Sequence, residues 1–157
     1  MIMRDKIEIV DYTPEYAKAW HDLNLAWISE IYVVEDEDRA VLTDPQKHLL
    51  DSGGAIIVAL YNGEPVGTCA LKRVNIDLVE MCKMTVAKNM RGKNIGRMLG
   101  EAIIEKASQI GASTIELYSN RRGSELAIEM YKKLGFIEIP LTGAVYARAD
   151  IKMRMIL

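Results

Sequence analysis

The stretch that decides the fold is Val86-Ala-Lys-Asn-Met-Arg-Gly-Lys-Asn-Ile-Gly96, in which an apolar strand enters a short basic loop and an amphipathic helix follows. The N–H groups and the dipole of a helix start point at one spot, and such a spot attracts phosphate. Gly92 has no Cβ, so a ligand can approach its backbone, and Asn94 tolerates the left-handed conformation. The loop therefore suits a pyrophosphate, although an ordinary solvated turn explains the loop alone equally well. Its spacing is neither the Walker nor the Rossmann pattern. Positive charge around it comes from Arg91, Lys93 and Arg97.

Composition indicates a single globular domain over residues 1–157, of which 50% are apolar. A net charge of −2 provides no basic field for nucleic acid. The longest apolar runs, such as Ala55–Tyr61, are too short to cross a bilayer, and the first residues lack an apolar signal region. Cys69 and Cys82 lie in apolar runs without metal-ligand spacing. They are expected to be reduced core thiols in a cytoplasmic protein without a metal.

The hydrophobic pattern changes its period along the chain. Alternating or apolar runs predict strands at residues 6–11, 55–61, 66–74, 78–86, 113–119, 136–139 and 150–157, with Asn62-Gly63 as a hairpin turn. Helical spacing predicts a first helix from Thr13 as N-cap, a short helix from Asp44-Pro45, and helices at 95–110 and 126–134. Residues 33–42, which hold the acidic run 35–38, are expected to form a mobile loop. This order predicts a mixed α/β (α+β) fold, with a central, mostly antiparallel, twisted sheet of about seven strands and helices on both faces.

From about residue 55 to 136 the chain resembles the GNAT superfamily of acetyl-CoA-dependent N-acetyltransferases. The family's pyrophosphate motif, Arg/Gln-x-x-Gly-x-Gly/Ala, falls on Arg91-Gly92-Lys93-Asn94-Ile95-Gly96 and departs from it only at Asn94. The family's later helix-to-strand segment is matched by Tyr131-Lys-Lys-Leu-Gly-Phe136.

The resemblance implies acetyl-CoA or coenzyme A as the cosubstrate. The implied contacts are the 91–96 loop and Arg97 for the phosphates, Met84, Thr85 and Val86 for the pantetheine arm, and Asn120 for the same arm. A bulge usual in the family's strand before the loop would open a V-shaped cleft there. Arg121 and Arg122 follow in a loop one residue longer than usual, and they either reach the 3′-phosphate or are solvated.

Two residues are candidates for proton transfer. By strand alternation, Glu80 shares an otherwise apolar face with Cys82 and Met84, where it is either a base for an amine or a solvated carboxylate. Tyr131 lies on the apolar stripe of the last helix, and the resemblance places its hydroxyl near the cofactor sulfur. It is either the acid that protonates the leaving thiolate or a packing residue.

The leading hypothesis is direct acetyl transfer to an amine of a small molecule or a protein, without a covalent intermediate on Cys82. Acceptor-wall candidates are Trp27, Tyr32 and Tyr146. Residues 35–38 are either simply solvated or attract a cationic amine. The alternatives are a non-catalytic acetyl-CoA sensor and a structural protein that binds no coenzyme A. Exposure of the late strands is the basis for expecting a homodimer.

Overall fold

The computed structural model describes residues 5–142 and 147–157. Seven strands form one sheet in the order β1-β2-β3-β4-β5-β7-β6. They are β1 (Ile7–Asp11), β2 (Ala55–Tyr61), β3 (Glu64–Arg73), β4 (Leu78–Val86), β5 (Thr114–Ser119), β6 (Ile137–Ile139) and β7 (Ile151–Ile156). The α-helices are α1 (Ala17–Ile31), α2 (Asp36–Thr43), α3 (Ile95–Gln109) and α4 (Glu125–Leu134). Each neighbouring pair of these strands is antiparallel except β4 with β5, which is parallel.

The first four strands form an antiparallel meander, as the alternating pattern predicts. The hairpin between β2 and β3 turns at Asn62 and Gly63, whose φ angles of 50° and 86° are those that a two-residue turn of this kind requires. The bounds of β2 and β4 agree with the sequence prediction at both ends, and those of the other strands differ from it by at most two residues. The meander is therefore encoded locally, in alternation and turn residues.

Helices cover both faces of the sheet, as predicted. On one face, α3 and α4 pack through a core that includes Leu99, Ile103 and Ile128. On the other face, α1 and α2 pack through a smaller core that includes Trp20 and Leu42. Within the part of the chain that the structure describes, no helix combines the length and the apolar character that crossing a membrane requires.

The prediction of a mobile acidic loop at residues 33–42 is wrong, because α2 occupies most of it. The helix begins with a reciprocal capping box. The Glu35 side chain accepts the N–H of Asp38, and the Asp38 carboxylate accepts the N–H of Glu35 at 2.9 Å. These two bonds satisfy helix-start donors that a solvated loop would leave to water. The short helix predicted from Asp44-Pro45 is a single π-helical turn, Gln46–Leu50.

Two details of the helix predictions also differ. Pro14–Tyr16 forms a 3₁₀ turn before α1, and the Thr13 hydroxyl donates to the Glu15 carboxylate at 3.0 Å instead of capping the backbone. Leu126, which helical spacing groups with Ala127, Met130, Tyr131 and Leu134 on the apolar stripe of α4, is 89% exposed and lies in the first turn of the helix.

Leu99 anchors α3 on the sheet, so its truncation is a test of this packing. Its side chain is fully buried and lies against Gly67 of β3, where a Cβ would be 3.0 Å from Leu99 Cδ1. We expect Leu99→Ala to lower the free energy of unfolding by about 2–5 kcal/mol. The exposed Leu126→Ala is the control and should change it by less than about 0.5 kcal/mol. Urea denaturation of both variants measures the difference, and equal losses would contradict this packing.

Candidate active site

A gap between β4 and β5 is the central feature of the site. The two strands pair only over four positions, from Leu78 with Thr114 to Met81 with Leu117. Beyond them the register between β3 and β4 shifts, so that Lys83 and Met84 together stand opposite one residue of β3. Lys83 has a φ angle of 53°, a left-handed conformation that is rare for a residue with a side chain. This is the bulge that the family resemblance implies, and it accompanies the separation of the strands.

The gap is part of a cleft of about 690 Å³ that reaches from α1 to the start of α3 and to α4. Nearly all of the predicted site residues line it, namely Glu80, Met84, Thr85, Val86, Arg91, Gly92, Asn94, Ile95, Gly96, Arg97, Asn120 and Tyr131. Lys93 does not. Its ammonium lies 5.5 Å from the centroid of the Tyr61 ring, at the β2–β3 hairpin, where a cation–π contact holds it. A contact of Lys93 with the cofactor phosphates stays a prediction.

The loop before α3 presents backbone donors to the mouth of the cleft. Gly92 and Asn94 both have left-handed φ angles, of 81° and 67°, which confirms the conformation expected of Asn94. The Asn94 side chain caps no N–H group among the described residues of this helix start. The first N–H groups of α3 have no acceptor within the helix, and Asn94 does not cap them. A Cβ on Gly92 would meet no described atom within 4 Å, and one on Gly96 none closer than 3.7 Å, so the loop leaves room for a ligand.

Glu80 and Met84 lie on opposite faces of the sheet, which corrects the prediction that they share one. Cys82 packs with the α1 and α2 core, whereas Met84 and Val86 pack with the α3 and α4 core. Simple alternation fails because the bulge at Lys83 inserts one residue between them. Glu80, on the Cys82 face, therefore lines the cleft from the side of α1 and α2.

Tyr131 lines the same cleft from α4, on the other face of the sheet. It is only 6% exposed and packs edge-on against Phe136, with ring centroids 6.0 Å apart. Burial, with a smaller contribution from Cys69, raises the pKa of Tyr131 well above its ordinary value. The phenol therefore stays protonated at neutral pH, and the raised pKa makes it a weaker acid than an exposed tyrosine.

Burial also changes the ionisation of the groups on the other face. It raises the pKa of Glu80 above its ordinary value, and the positive charges of Lys72 and Lys83 offset only part of that rise. Burial raises the pKa of Cys82 to about 12, with Glu80 adding to the effect. A protonated thiol is a poor nucleophile, so this pKa argues against covalent catalysis by Cys82.

Asn120 organises the loop that follows β5. Its side-chain nitrogen donates to the carbonyl of Arg148, and its oxygen accepts the N–H of Arg122 at 2.9 Å. The Arg121 guanidinium forms an exposed ion pair with Glu138. A contact of Asn120 or of either arginine with a cofactor stays a prediction.

Aromatic side chains line the end of the cleft beside α1. The rings of Trp27 and Tyr32 meet edge-on with centroids 6.0 Å apart, and the Arg148 guanidinium lies 5.3 Å from the Tyr32 centroid. All three residues line the cleft. Tyr146, the other predicted wall residue, lies outside the described residues.

The sequence analysis missed a buried ionic cluster beside the bulge. Asp38 is fully buried, with Lys83 Nζ at 2.8 Å and the two terminal nitrogens of Arg148 at 2.9 Å each. Burial alone would raise the pKa of Asp38, but hydrogen bonds from Arg148 and Lys83 outweigh it and hold that pKa well below its usual range. The expectation that residues 35–38 are solvated is therefore wrong for Asp38. The signal was Lys83 itself, a lysine inside an apolar central strand.

Comparison with known proteins identifies the family. The sequence model described as the acetyltransferase (GNAT) family matches residues 16–136. This chain belongs to the GNAT family. YvbK, an uncharacterized N-acetyltransferase of Bacillus subtilis, is 30% identical to this GNAT protein over 102 residues. The match covers 63% of the chain and 65% of YvbK, so the chain spans slightly under two thirds of that curated relative's length.

Solved structures confirm the predicted fold. A GNAT acetyltransferase of Staphylococcus aureus Mu50 superposes with a TM-score of 0.84 at 23% identity, over 95% of this GNAT protein and 98% of that chain. The yncA protein of Salmonella typhimurium, solved with its cofactor acetyl-CoA, gives a TM-score of 0.77 at 18% identity, over 96% and 93% of the two chains. These likenesses concern the architecture.

The raised pKa of Glu80 predicts how its replacement changes stability with pH. A carboxyl with a raised folded pKa stabilises the fold only below its unfolded pKa of about 4.3, and that contribution is lost as pH rises through the folded pKa. Glu80→Gln cannot ionise, so at pH 7 we expect it to melt at or above the wild-type temperature. The advantage should shrink as pH approaches 4. Calorimetric melting across this range is the measurement, and a penalty that is the same at every pH would contradict it.

Proposed function

We propose that this protein is an N-acetyltransferase that moves an acetyl group from acetyl-CoA directly to an amine, and that residues 1–157 act as one acetyltransferase domain. The observation that carries the proposal is the gap between β4 and β5. It is lined by Tyr131 from one face of the sheet and by Glu80 from the other. A cosubstrate and an acceptor could thus approach one point from opposite sides.

The loop before α3 fits the diphosphate of coenzyme A. The open space beside Gly92 and Gly96 allows close approach, and the first N–H groups of α3 supply hydrogen-bond donors. Arg91 and Arg97 add positive charge at the same mouth. The acetyl-CoA held by the related Salmonella protein supports this cosubstrate.

The separation of β4 from β5 supports a site for the pantetheine arm. Pairing with β5 ends at Met81, so the backbone of Met84, Thr85 and Val86 is not paired with β5 on that side. An extended chain can bind to such an edge in the manner of an added strand. When bound there, acetyl-CoA would supply an activated thioester carbonyl inside the gap.

The chain's own residues would then move the protons. Glu80 would accept a proton from the bound amine, and its raised pKa brings it closer to that of an effective base at neutral pH. The Met84 N–H, displaced by the bulge, would donate to the carbonyl oxygen as negative charge develops there. Tyr131, protonated at neutral pH, would donate to the departing sulfur.

The acceptor is proposed only as an amine, of a small molecule or of a protein. Trp27 and Tyr32 provide an aromatic wall at the acceptor end of the cleft, which suits an acceptor with an apolar or planar body beside its amine. Glu80 would face the amine from the same side of the sheet.

Acetyl-CoA-dependent release of thiol over a broad amine panel tests the function. Transfer to at least one amine, with coenzyme A binding measured by calorimetry, is the expected result. Binding without transfer to any amine would favour the alternative of a non-catalytic sensor. Absence of binding at millimolar coenzyme A would contradict both.

A matched pair at Gly96 tests the phosphate site. A Cβ at Gly96 makes only ordinary contacts, so both Gly96→Asn and Gly96→Asp should fold. The two differ by one negative charge, which would face the diphosphate. We expect the aspartate variant to bind coenzyme A at least about tenfold more weakly than the asparagine variant. The repulsion between two negative charges at close range costs more than about 1.4 kcal/mol. Calorimetry decides, and equal affinities would mean that the phosphates bind elsewhere.

Removal of the Tyr131 hydroxyl tests its role as the acid. We expect Tyr131→Phe to lower kcat by about 10²-fold, the usual contribution of a positioned acid. The dissociation constant of coenzyme A should change by less than about twofold, because the proton is donated late. Single-turnover kinetics ensures that chemistry is being measured. Wild-type rates in the variant would assign Tyr131 to packing alone.

A further inference from the structure

The bulge in β4 is fixed by a charged side chain that nothing in the proposed chemistry uses. Lys83 is the only non-glycine residue with positive φ in the described part of β4, and such a conformation is normally left to glycine or asparagine. Its side chain is 3% exposed, which is exceptional for lysine. The sequence therefore carries a strained, buried lysine at the point where the cleft opens.

Asp38 of α2 receives the ammonium of Lys83. Their atoms are 2.8 Å apart, and Asp38 is fully buried. A desolvated ion pair of this kind has few alternatives, since neither group can turn to water without disrupting the core. Arg148 closes the cluster by binding both oxygens of Asp38 and, at 3.2 Å, Glu35. Asp38 therefore holds Lys83 in place, and its own position is fixed by Arg148.

A second set of hydrogen bonds holds the backbone of the same residue. The Thr68 hydroxyl donates to the Lys83 carbonyl at 2.8 Å and accepts from the Asn24 side chain at 3.0 Å. Asn24 also accepts the indole N–H of Trp27 at 3.2 Å. The side chain and the carbonyl of Lys83 are thus fixed independently, by α2 and by α1 through β3.

We propose that Asp38 is a positioning residue, whose buried ion pair with Lys83 holds the β4 bulge in the conformation that opens the cleft. The proposal rests on the proposed function for its consequence, because the bulge would direct the Met84 N–H and the pantetheine edge of β4. Asp38 acts through Lys83 and touches no reacting atom. Its removal should let residue 83 relax from its strained conformation.

Alanine and glycine at position 83 form a matched pair for this proposal. Lys83→Ala and Lys83→Gly both remove the ammonium and the side chain beyond Cβ, and Arg148 still neutralises Asp38 in each. They differ in one methyl group, which disfavours positive φ only in the alanine variant. We expect K83A to bind coenzyme A about tenfold more weakly than wild type, the effect of one released strained residue. K83G should recover most of that affinity, and kcat/KM for acetyl-CoA should follow the same order.

Equal affinities of K83A and K83G, measured by calorimetry, would overturn the proposal, because they would show that the charge matters and the backbone conformation does not. Asp38→Asn supplies a second test. Glu35 still pairs with Arg148 in that variant. The substitution should weaken coenzyme A binding in the wild-type background and have little effect on it in K83G. An equal effect in both backgrounds would mean that Asp38 does not act through Lys83.

Thermal stability of the Lys83 variants tests the proposal independently of coenzyme A binding. Glycine in a strand is ordinarily less stable than alanine, but at a positive φ we expect K83G to melt above K83A. If K83G instead melts below K83A, the proposal is overturned, whether or not wild type binds coenzyme A. Failure of wild type to bind coenzyme A would separately refute the proposed function. Glu37→Gln is the control. Glu37 lies on the same helix as Asp38 and forms a partly exposed ion pair with Lys72 of β3, which the substitution removes. It should leave coenzyme A affinity within about twofold, as expected of a surface pair.

Discussion

The parting of β4 from β5 is the constraint on which the rest of the site depends. Four residue pairs hold the strands together, and beyond Met81 the backbone hydrogen bonds between them stop. Unpaired backbone groups inside a sheet are costly unless something else binds them. The proposed cosubstrate would bind these groups in the gap, and the sheet around the gap supplies rigid walls. The loop before α3 and Tyr131 both line the same opening.

The gap is stabilised by interactions between segments that are far apart in the sequence. Asp38, Lys83 and Arg148 come from three such segments and meet in one desolvated cluster. Such clusters add little net stability compared with apolar packing, but they tolerate few alternative arrangements. That specificity suits a bulge that has to hold one strained conformation. The cluster also joins α2 directly to the segment before β7, through the hydrogen bonds of Arg148 to Asp38.

Two carboxylates near the gap show how the environment sets their ionisation in opposite directions. At Glu80 desolvation dominates and raises the pKa, whereas at Asp38 hydrogen bonds from Arg148 and Lys83 outweigh the desolvation and lower the pKa. The same functional group, a carboxyl, is thereby suited to different tasks. Asp38 stays charged and holds structure, and Glu80 can exchange a proton.

Local patterns in the sequence determined the meander, the Asn62-Gly63 hairpin, the bounds of β4 and the left-handed Asn94 before α3, because alternation, turn chemistry and helix starts depend on neighbouring residues. Of the site residues that the family resemblance then implied, nearly all line the cleft. Only the tertiary structure decided that Met84 turns away from Glu80, since a bulge is defined by the register with β3. It alone decided that Asp38 is buried. An acidic run looks solvated along the chain, and the two cations that neutralise Asp38 lie 45 and 110 positions away.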